Sequence, residues 1–370
     1  MNKPIKSVLF LPFLQIPSGH HQVANALIND IKENIPGVNC EKIDILAYSY
    51  GIFEKMISSI YLKWIRSFPS IYNSIYQNAV YRNDGKEKRY RLYELLFLYF
   101  IKKLVLEKKP NLIVCTHSLP AYMLNYLKNK GKIHVPVINV YTDYFVHQFW
   151  GIKNIDYHFV PSVQVEKFLM ERGVEKEKIF ITGIPIHSNI MKKSRLELPS
   201  HTTYSVLICG GNLGVGAMDE LIEEIKQSQS IEFKVLCGKN EKLYNKLRSL
   251  SIDHIIPYPY IECMSKMNQI YDNVDAIITK PGGVTVSECL FKRKPIFIYH
   301  TLPGQEKINF EELKEFGLVF SLTKNKVCEE VHSVLGREKE LIEYQNRVDR
   351  FHADIHSDKP VEIIAKLLAR

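Results

Sequence analysis

Apolar residues along the chain come in short, mainly apolar runs, separated by longer, helix-length stretches. The blocks at residues 8–14, 43–46, 112–115, 135–141, 157–160 and 179–182 predict strands. A strand covered on both faces has no polar side to alternate with, so it reads as a continuous apolar run. A polar stretch from Lys192 to Thr203 interrupts this rhythm, which restarts with blocks at 205–209, 233–237, 254–257, 276–279, 295–299 and 318–320. Helix-compatible sequence runs from Lys326 to the end.

Strand and helix alternating in this way predict an α/β protein made of doubly wound parallel sheets. A chain of 370 residues suits two such cores. The expected division is an N-terminal Rossmann-like lobe over residues 1–190, a linker over 191–203, a second Rossmann-like lobe over 204–345 and closing helices over 346–370. Two lobes facing a cleft would present their ligand loops at the carboxyl ends of their strands.

Composition narrows the class without altering that picture. Apolar residues make up 46% and charged residues 24%, the balance of a soluble globular enzyme. Seven scattered cysteines with no C-x-x-C pair give neither a zinc motif nor a disulfide framework and read as reduced, cytosolic core residues. The apolar run after Lys3 and Lys6 lacks a small-residue cleavage site, so it reads as a first strand rather than a signal peptide. The stretch from Leu92 to Leu106 is broken by Glu94 and Lys102-Lys103 and is too short to span a bilayer.

Charge adds a candidate surface. Net charge is +9, and between Lys55 and Lys109 twelve basic residues stand against four acidic ones, so this segment holds nearly the whole excess. Ile57, Ile60, Tyr61, Trp64, Ile65, Phe68, Ile71, Tyr72 and Tyr76 are interleaved with it. Cationic and aromatic side chains together suit an anionic membrane surface. The same apolar residues at helical spacing could equally form the buried stripe of a domain helix. No nucleic-acid-binding module accompanies the basic residues, and no nucleic-acid partner is expected.

Several loops carry candidate chemistry. Thr279-Lys280-Pro281-Gly282-Gly283-Val284-Thr285 reads as a strand running through a Gly-Gly turn into a helix, where backbone N–H groups can approach a pyrophosphate and stabilise a departing dianion. No D-x-D sequence is present to hold a divalent cation, so neither a metal nor a cofactor is expected. Cys209-Gly210-Gly211-Asn212-Leu213-Gly214 is a second glycine-rich loop after a strand, without dinucleotide or P-loop spacing. Pro303-Gly304-Gln305-Glu306-Lys307-Ile308-Asn309 places two amides and a carboxylate after another strand, donors and acceptors of the kind that read sugar hydroxyls. In the first half, Gly19-His20 should open a helix after strand one. His20 could take a proton from an acceptor hydroxyl or serve as a structural cap. Asp143, after a further strand, could orient such a base or simply form a turn.

Taken in order, Gly19-His20 with Gln22-Val23-Ala24, Thr142-Asp143 with His147 and Trp150, Thr182-Gly183-Ile184-Pro185-Ile186, Cys237-Gly238-Lys239-Asn240, Thr279-Lys280-Pro281-Gly282-Gly283 with Thr285 and Glu288, and Pro303-Gly304-Gln305-Glu306 resemble glycosyltransferase family 28. The resemblance spans essentially the whole chain. It is strongest to the processive diacylglycerol glucosyltransferases of Gram-positive bacteria and more distant to the plant monogalactosyldiacylglycerol synthases.

The resemblance implies a GT-B fold whose C-terminal helix packs back on the N-terminal lobe, and inverting transfer of a hexose, glucose foremost, from a UDP-sugar to diacylglycerol. It also implies a first lobe docked on the cytoplasmic face of the membrane. It makes His20 the general base and Asp143 an alternative base or orienting group. Gly282, Gly283 and Thr285, with Pro281, Gly210, Gly211 and Asn212, fall near the phosphates. Glu288 would hold the ribose; Gln305 and Glu306, with Asn309, would hold the donor sugar; Gly19, Gly238 and Lys239 complete the expected binding set. The chain departs from the pattern at Pro17, where relatives place glycine, and in the Gly210-Gly211-Asn212 loop. Other acceptors (polyprenyl-linked, glycolipid or soluble), or an epimerase or nucleotide sensor on the same lobes, are the competing readings.

Overall fold

The computed structural model describes residues 6–13, 18–51, 89–199, 203–210, 218–228, 230–356 and 358–369. The portion of the basic aromatic segment before Arg89, and Gly211 and Asn212, lie outside the described residues. The chain divides into two compact units, one comprising Met1–His187 with Asp354–Arg370 and the other Ser188–Ala353.

The first unit is built on strands β1 (Ser7–Leu11), β2 (Asn39–Lys42), β3 (Leu112–Cys115), β4 (Val137–Val140), β5 (Tyr157–Val160) and β6 (Ile179–Ile181). They form one sheet in the order β2-β1-β3-β4-β5-β6, with every pairing parallel. β3 and β4 are buried along their whole length, which is why their sequences show no alternation. Helices α1 (Gly19–Asn34), α2 (Ile45–Tyr50), α3 (Arg91–Lys108), α4 (Ser118–Asn129) and α5 (Val163–Met170) accompany them.

One expected strand is a helix. Asp44 accepts hydrogen bonds from the N–H groups of Leu46 at 2.8 Å and Ala47 at 3.1 Å, so it caps α2, and Ile45 and Leu46 are buried as that helix's first turn. The edge strand lies just before it at Asn39–Lys42, half-exposed and polar, as an edge can be.

The second unit repeats the design with β7 (Tyr204–Cys209), β8 (Ile231–Leu236), β9 (Ile255–Tyr258), β10 (Ala276–Thr279), β11 (Ile296–Ile298) and β12 (Phe320–Ser321), all parallel in the order β12-β11-β10-β7-β8-β9. Its helices are α6 (Met218–Ile225), α7 (Glu241–Leu250), α8 (Met264–Asp272), α9 (Gly283–Phe291), α10 (Gln305–Glu315), α11 (Val327–Leu335) and α12 (Glu338–Ala353).

The stretch expected as a linker begins inside this unit. Lys292, 1% exposed at the end of α9, gives Nζ hydrogen bonds to the Met191 carbonyl at 3.1 Å and Asn268 Oδ1 at 2.9 Å and pairs with Asp272 at 2.6 Å. Arg293 Nε donates to the Lys193 carbonyl at 2.8 Å. A buried ammonium is tolerated because all of its hydrogens find acceptors. The closing helices divide: α12 belongs to the second unit, whereas α13 (Pro360–Ala369) packs against α1 in the first. The His356 N–H reaches the Ile181 carbonyl at the end of β6 at 2.7 Å, fastening the chain where it rejoins the first unit.

Helix α3 has two apolar faces. Phe97, Ile101, Leu104 and Val105 are buried, and buried Glu94 is held by Arg89 and by the Tyr122 hydroxyl at 2.6 Å. The other face leaves Leu92 66%, Leu95 80% and Tyr99 68% exposed. No helix among the described residues is long and apolar enough to cross a membrane.

Candidate active site

In each sheet the strand order reverses direction once, between β1 and β3 and between β7 and β10. Loops leaving the carboxyl ends of strands diverge at such a point and leave a crevice. In the first unit, β1 leads to His20 in the first turn of α1, β3 leads to Thr116 and His117, and β4 leads to Thr142 and Asp143.

These three loops converge on one imidazole. His20 Nδ1 lies 2.8 Å from the Thr116 carbonyl oxygen and 2.9 Å from Thr142 Oγ1. A carbonyl can only accept, so Nδ1 carries the hydrogen and Nε2 holds the lone pair. Among the described residues Nε2 has no hydrogen-bond partner. Burial lowers the His20 pKa from its ordinary value, while the Asp143 carboxylate and the Thr116 carbonyl act in the opposite sense. The α1 N-cap is Ser18 rather than His20, and the His20 ring is oriented by two other loops. Asp143 is half-buried beside it and acts on it through its charge.

His117 escaped the reading of the sequence. It caps α4, with Nδ1 accepting from the Leu119 N–H at 3.1 Å, and its ring lies 4.7 Å from that of His20, nearly edge-on at 79°. The available signal was its position two residues after an apolar block, in the loop that leaves a parallel strand's carboxyl end. His147 is a third imidazole of the group, pushed down to about 3 by burial and by its proximity to His20.

The loop that bears Thr142 and Asp143 is anchored by its far end. Trp150 is buried with its ring centroid 4.6 Å from that of Tyr141, and Asn139 Nδ2 donates to the Gly151 carbonyl at 2.7 Å. A Cβ on Gly151 would fall 2.2 Å from the Asn125 Cβ and 2.7 Å from the Ala121 carbonyl oxygen on α4. Gly151→Ala is therefore expected to destabilise the first unit by about 1–3 kcal/mol. Urea unfolding coincident with that of the unsubstituted protein would contradict this account of the loop.

In the second unit, paired β7 and β10 bring Gly210 next to the turn Pro281-Gly282-Gly283, and Thr279 Oγ1 donates to the Cys209 carbonyl at 3.3 Å across the pair. Gly282 is the N-cap of α9 with φ −83°, a conformation open to any residue, and a Cβ there would meet nothing within 4 Å. The position before the helix N-terminus is thus open, and its backbone angles do not require glycine. No acidic side chain occupies the first turn of α9. The N–H groups of a helix's first turn have no partner within the helix, and with the helix dipole they make such an end receptive to an anion.

Thr285 and Glu288 are three residues apart on α9 and so share a face. The Tyr271 hydroxyl, on α8 and 1% exposed, donates to Glu288 Oε2 at 2.8 Å. Among the described residues Oε1 has no partner. Burial raises the Glu288 pKa to about 7, against the opposing pull of the Tyr271 hydrogen bond.

After β11, Gly304 adopts φ 94° as the N-cap of α10, a backbone conformation that glycine alone adopts without strain. Gln305 and Glu306 follow in the first turn. Glu306 is held on both oxygens, Oε2 accepting from the Leu302 N–H at 2.8 Å and Oε1 lying 3.5 Å from Lys280 Nζ. Asn309, one turn on, is 1% exposed, so its side chain is sealed inside the unit rather than presented with Gln305 and Glu306. Gly238 takes φ 58° at the end of β8, and the exposed Lys239 ammonium lies 5.1 Å above the Tyr260 ring. Gly19 is the first residue of α1 in the first unit, next to His20 in sequence.

The two halves of the chain match two family models. Monogalactosyldiacylglycerol (MGDG) synthase matches residues 20–186, and the glycosyltransferase family 28 C-terminal domain matches residues 205–342. The uncharacterized glycosyltransferase YkoN of Bacillus subtilis is 41% identical over 367 residues, covering 98% of both chains. A processive diacylglycerol beta-glucosyltransferase of Bacillus licheniformis is 26% identical over 351 residues, covering 92% of this chain and 90% of that one. Among solved structures, Acinetobacter baumannii MurG superposes with a TM-score of 0.63 at 15% identity, covering 98% of this chain and 99% of that one. The kitacinnamycin glycotransferase does so with 0.60 at 10%, covering 98% and 100%. At these identities the likeness is one of fold.

Proposed function

The chain belongs to glycosyltransferase family 28, and from that premise we propose that it transfers a hexose, glucose foremost, from a UDP-sugar to the hydroxyl of diacylglycerol, with inversion at the anomeric carbon. The observation that carries this reading is the tautomer of His20. Its Nδ1–H is committed to Thr116, and Nε2, without a hydrogen-bond partner among the described residues, holds a lone pair for a hydroxyl proton. In the transfer, His20 takes the acceptor proton, the acceptor oxygen bonds to the anomeric carbon, and the bonding pair leaves with the β-phosphate of UDP. The N-terminus of α9 stabilises the charge on that leaving group. Glu288 accepts from the ribose hydroxyls, and Gln305 and Glu306 meet the donor sugar. The reaction needs no metal, so the rate in excess EDTA should equal that without it.

The lipid half of the proposal is supported by α3. Leu92, Leu95 and Tyr99 line one exposed face, with Arg91, Lys102, Lys103 and Lys109 close in sequence. Apolar side chains inserted among acyl chains, with cations at headgroup level, suit the anionic cytoplasmic face of a membrane. Replacing Leu92, Leu95 and Tyr99 together by serine should weaken binding to anionic vesicles by tenfold or more, since each buried side chain contributes about 1.5–3 kcal/mol. UDP affinity should be unchanged. Cosedimentation checks the first, and equal vesicle binding would remove α3 from the docking surface.

The central test incubates the protein with a panel of UDP-sugars and diacylglycerol in anionic vesicles and reads the lipids by mass. The expected product is a hexosyl lipid. No glycosylated lipid with any donor would overturn the proposal, and a product formed only on another acceptor would redirect it.

A further inference from the structure

We propose that His117 is a second catalytic residue: a permanently neutral imidazole whose Nε2–H donates to the acceptor oxygen while His20 removes its proton. The inference rests on the reading of His20 as the base. The two tautomers are complementary. His20 donates through Nδ1 and offers a lone pair at Nε2. His117 does the reverse. Its Nδ1 accepts from the Leu119 N–H at 3.1 Å, so the hydrogen of the neutral ring is on Nε2. Among the described residues neither Nε2 has a hydrogen-bond partner, and neither is a fully buried orphan. One acceptor and one donor, on rings 4.7 Å apart, remain available to a ligand.

A hydroxyl group needs such a pair. Its hydrogen must go to a base, and its oxygen, which gains charge as the proton leaves, is stabilised by a donor. The O–H bond breaks with its proton going to His20 Nε2, the oxygen bonds to the anomeric carbon, and the bond to UDP breaks. His117 keeps its own proton throughout.

Two features hold His117 to the donor role. Protonating Nδ1 would set an N–H against the Leu119 N–H, costing the α4 cap. The groups facing the ring also oppose a positive charge: burial leads, followed by His20, His147 and His21, so its pKa is driven well below that of an ordinary histidine. The ring of Phe13, 5.0 Å away, covers it with carbon rather than charge. Were His117 merely a helix cap, Asn or Ser would serve as well.

That alternative sets the experiment. His117→Asn keeps a capping oxygen for α4 but withdraws the ring N–H. It should melt with the unsubstituted protein and bind UDP equally well, yet transfer hexose to diacylglycerol about 10²–10³-fold more slowly. Its acid limb in kcat should persist, because the base is intact. His117→Gln, whose longer amide carries an N–H outward, should recover part of the rate. A His117→Asn protein with normal turnover would overturn the proposal, as would one that lost the acid limb, since His117 would then be the base. Parallel measurements on His20→Ala separate the two readings: a dead His20→Ala beside a normal His117→Asn sinks this inference alone. An active His20→Ala sinks the reading of His20.

Discussion

Replacing His20 by alanine is expected to lower kcat for transfer to diacylglycerol by about 10²–10⁴-fold, the range over which a positioned base contributes. The affinity for UDP should be unaffected, because Gly282, Gly283, Thr285 and Glu288, assigned to the phosphates and the ribose, lie in the second unit, whereas His20 is in the first. The pH dependence gives an independent check. Burial depresses the His20 pKa, with Asp143 and the Thr116 carbonyl only partly offsetting it. The ring is therefore neutral and competent at neutral pH, and activity is lost on acidification, as Nε2 takes up the proton it should have drawn from the acceptor. The midpoint in kcat falls below the ordinary histidine value of 6.5. Removing the nearby negative charge with Asp143→Asn should move that midpoint lower still, since the anion favours imidazolium. Isothermal calorimetry for UDP and pH–rate profiles on anionic vesicles test the set. An alanine variant that turns over normally, or an acid limb that survives in it, would remove His20 from the chemistry.

What the chain made legible in advance depended on which interactions are local. Fully buried strands such as 112–115 and 276–279 show as uninterrupted apolar runs, because both sheet faces are covered. The alternation of strands and helices was therefore readable. At residues 43–46 the run is broken by Asp44, whose carboxylate satisfies two N–H groups and starts a helix at Ile45. The exposed face of α3 was hidden for a related reason: Leu92, Leu95, Phe97 and Ile101 are equally apolar, and only packing decides which of them turns inward.

At the site, glycines and acids that stand in loops after strands could be recognised one by one. Pairings could not. Nothing in the sequence ties Tyr271 to Glu288 or Lys280 to Glu306, and His117 gains its meaning only from a neighbour 97 positions earlier, His20. Asn309 is the converse case: its neighbours Gln305 and Glu306 stand in the first turn of α10, and one further turn carries it into the interior.

The Tyr271–Glu288 pair leads to the other large effect, a proton linked to nucleotide binding. A carboxylate accepts two ribose hydroxyls better than a carboxylic acid does, so binding favours the ionised form. In the free protein that form is penalised by burial, and Glu288 titrates near 7. Affinity for UDP should thus be constant above pH 7 and fall about tenfold per unit below it, with net proton release on binding. The donor KM then rises at a higher pH than that at which kcat falls, so the two limbs are separable.

Stability runs the other way. The folded pKa lies above the ordinary glutamate value of 4.5, so between 4.5 and 7 the folded chain holds more protons than the unfolded one. Stability must therefore decrease as pH rises through that window. Glu288→Gln removes both dependences. It should bind UDP about 10–100-fold more weakly at neutral pH, having lost charge-assisted hydrogen bonds, and yet unfold at a higher temperature than the unsubstituted chain above pH 7. A residue kept for packing alone would not improve stability and impair binding in one substitution. Calorimetry in buffers of different ionisation enthalpy counts the released proton, and UDP affinity that stays level from about pH 8 to about pH 6 would rule out Glu288 as the ribose ligand.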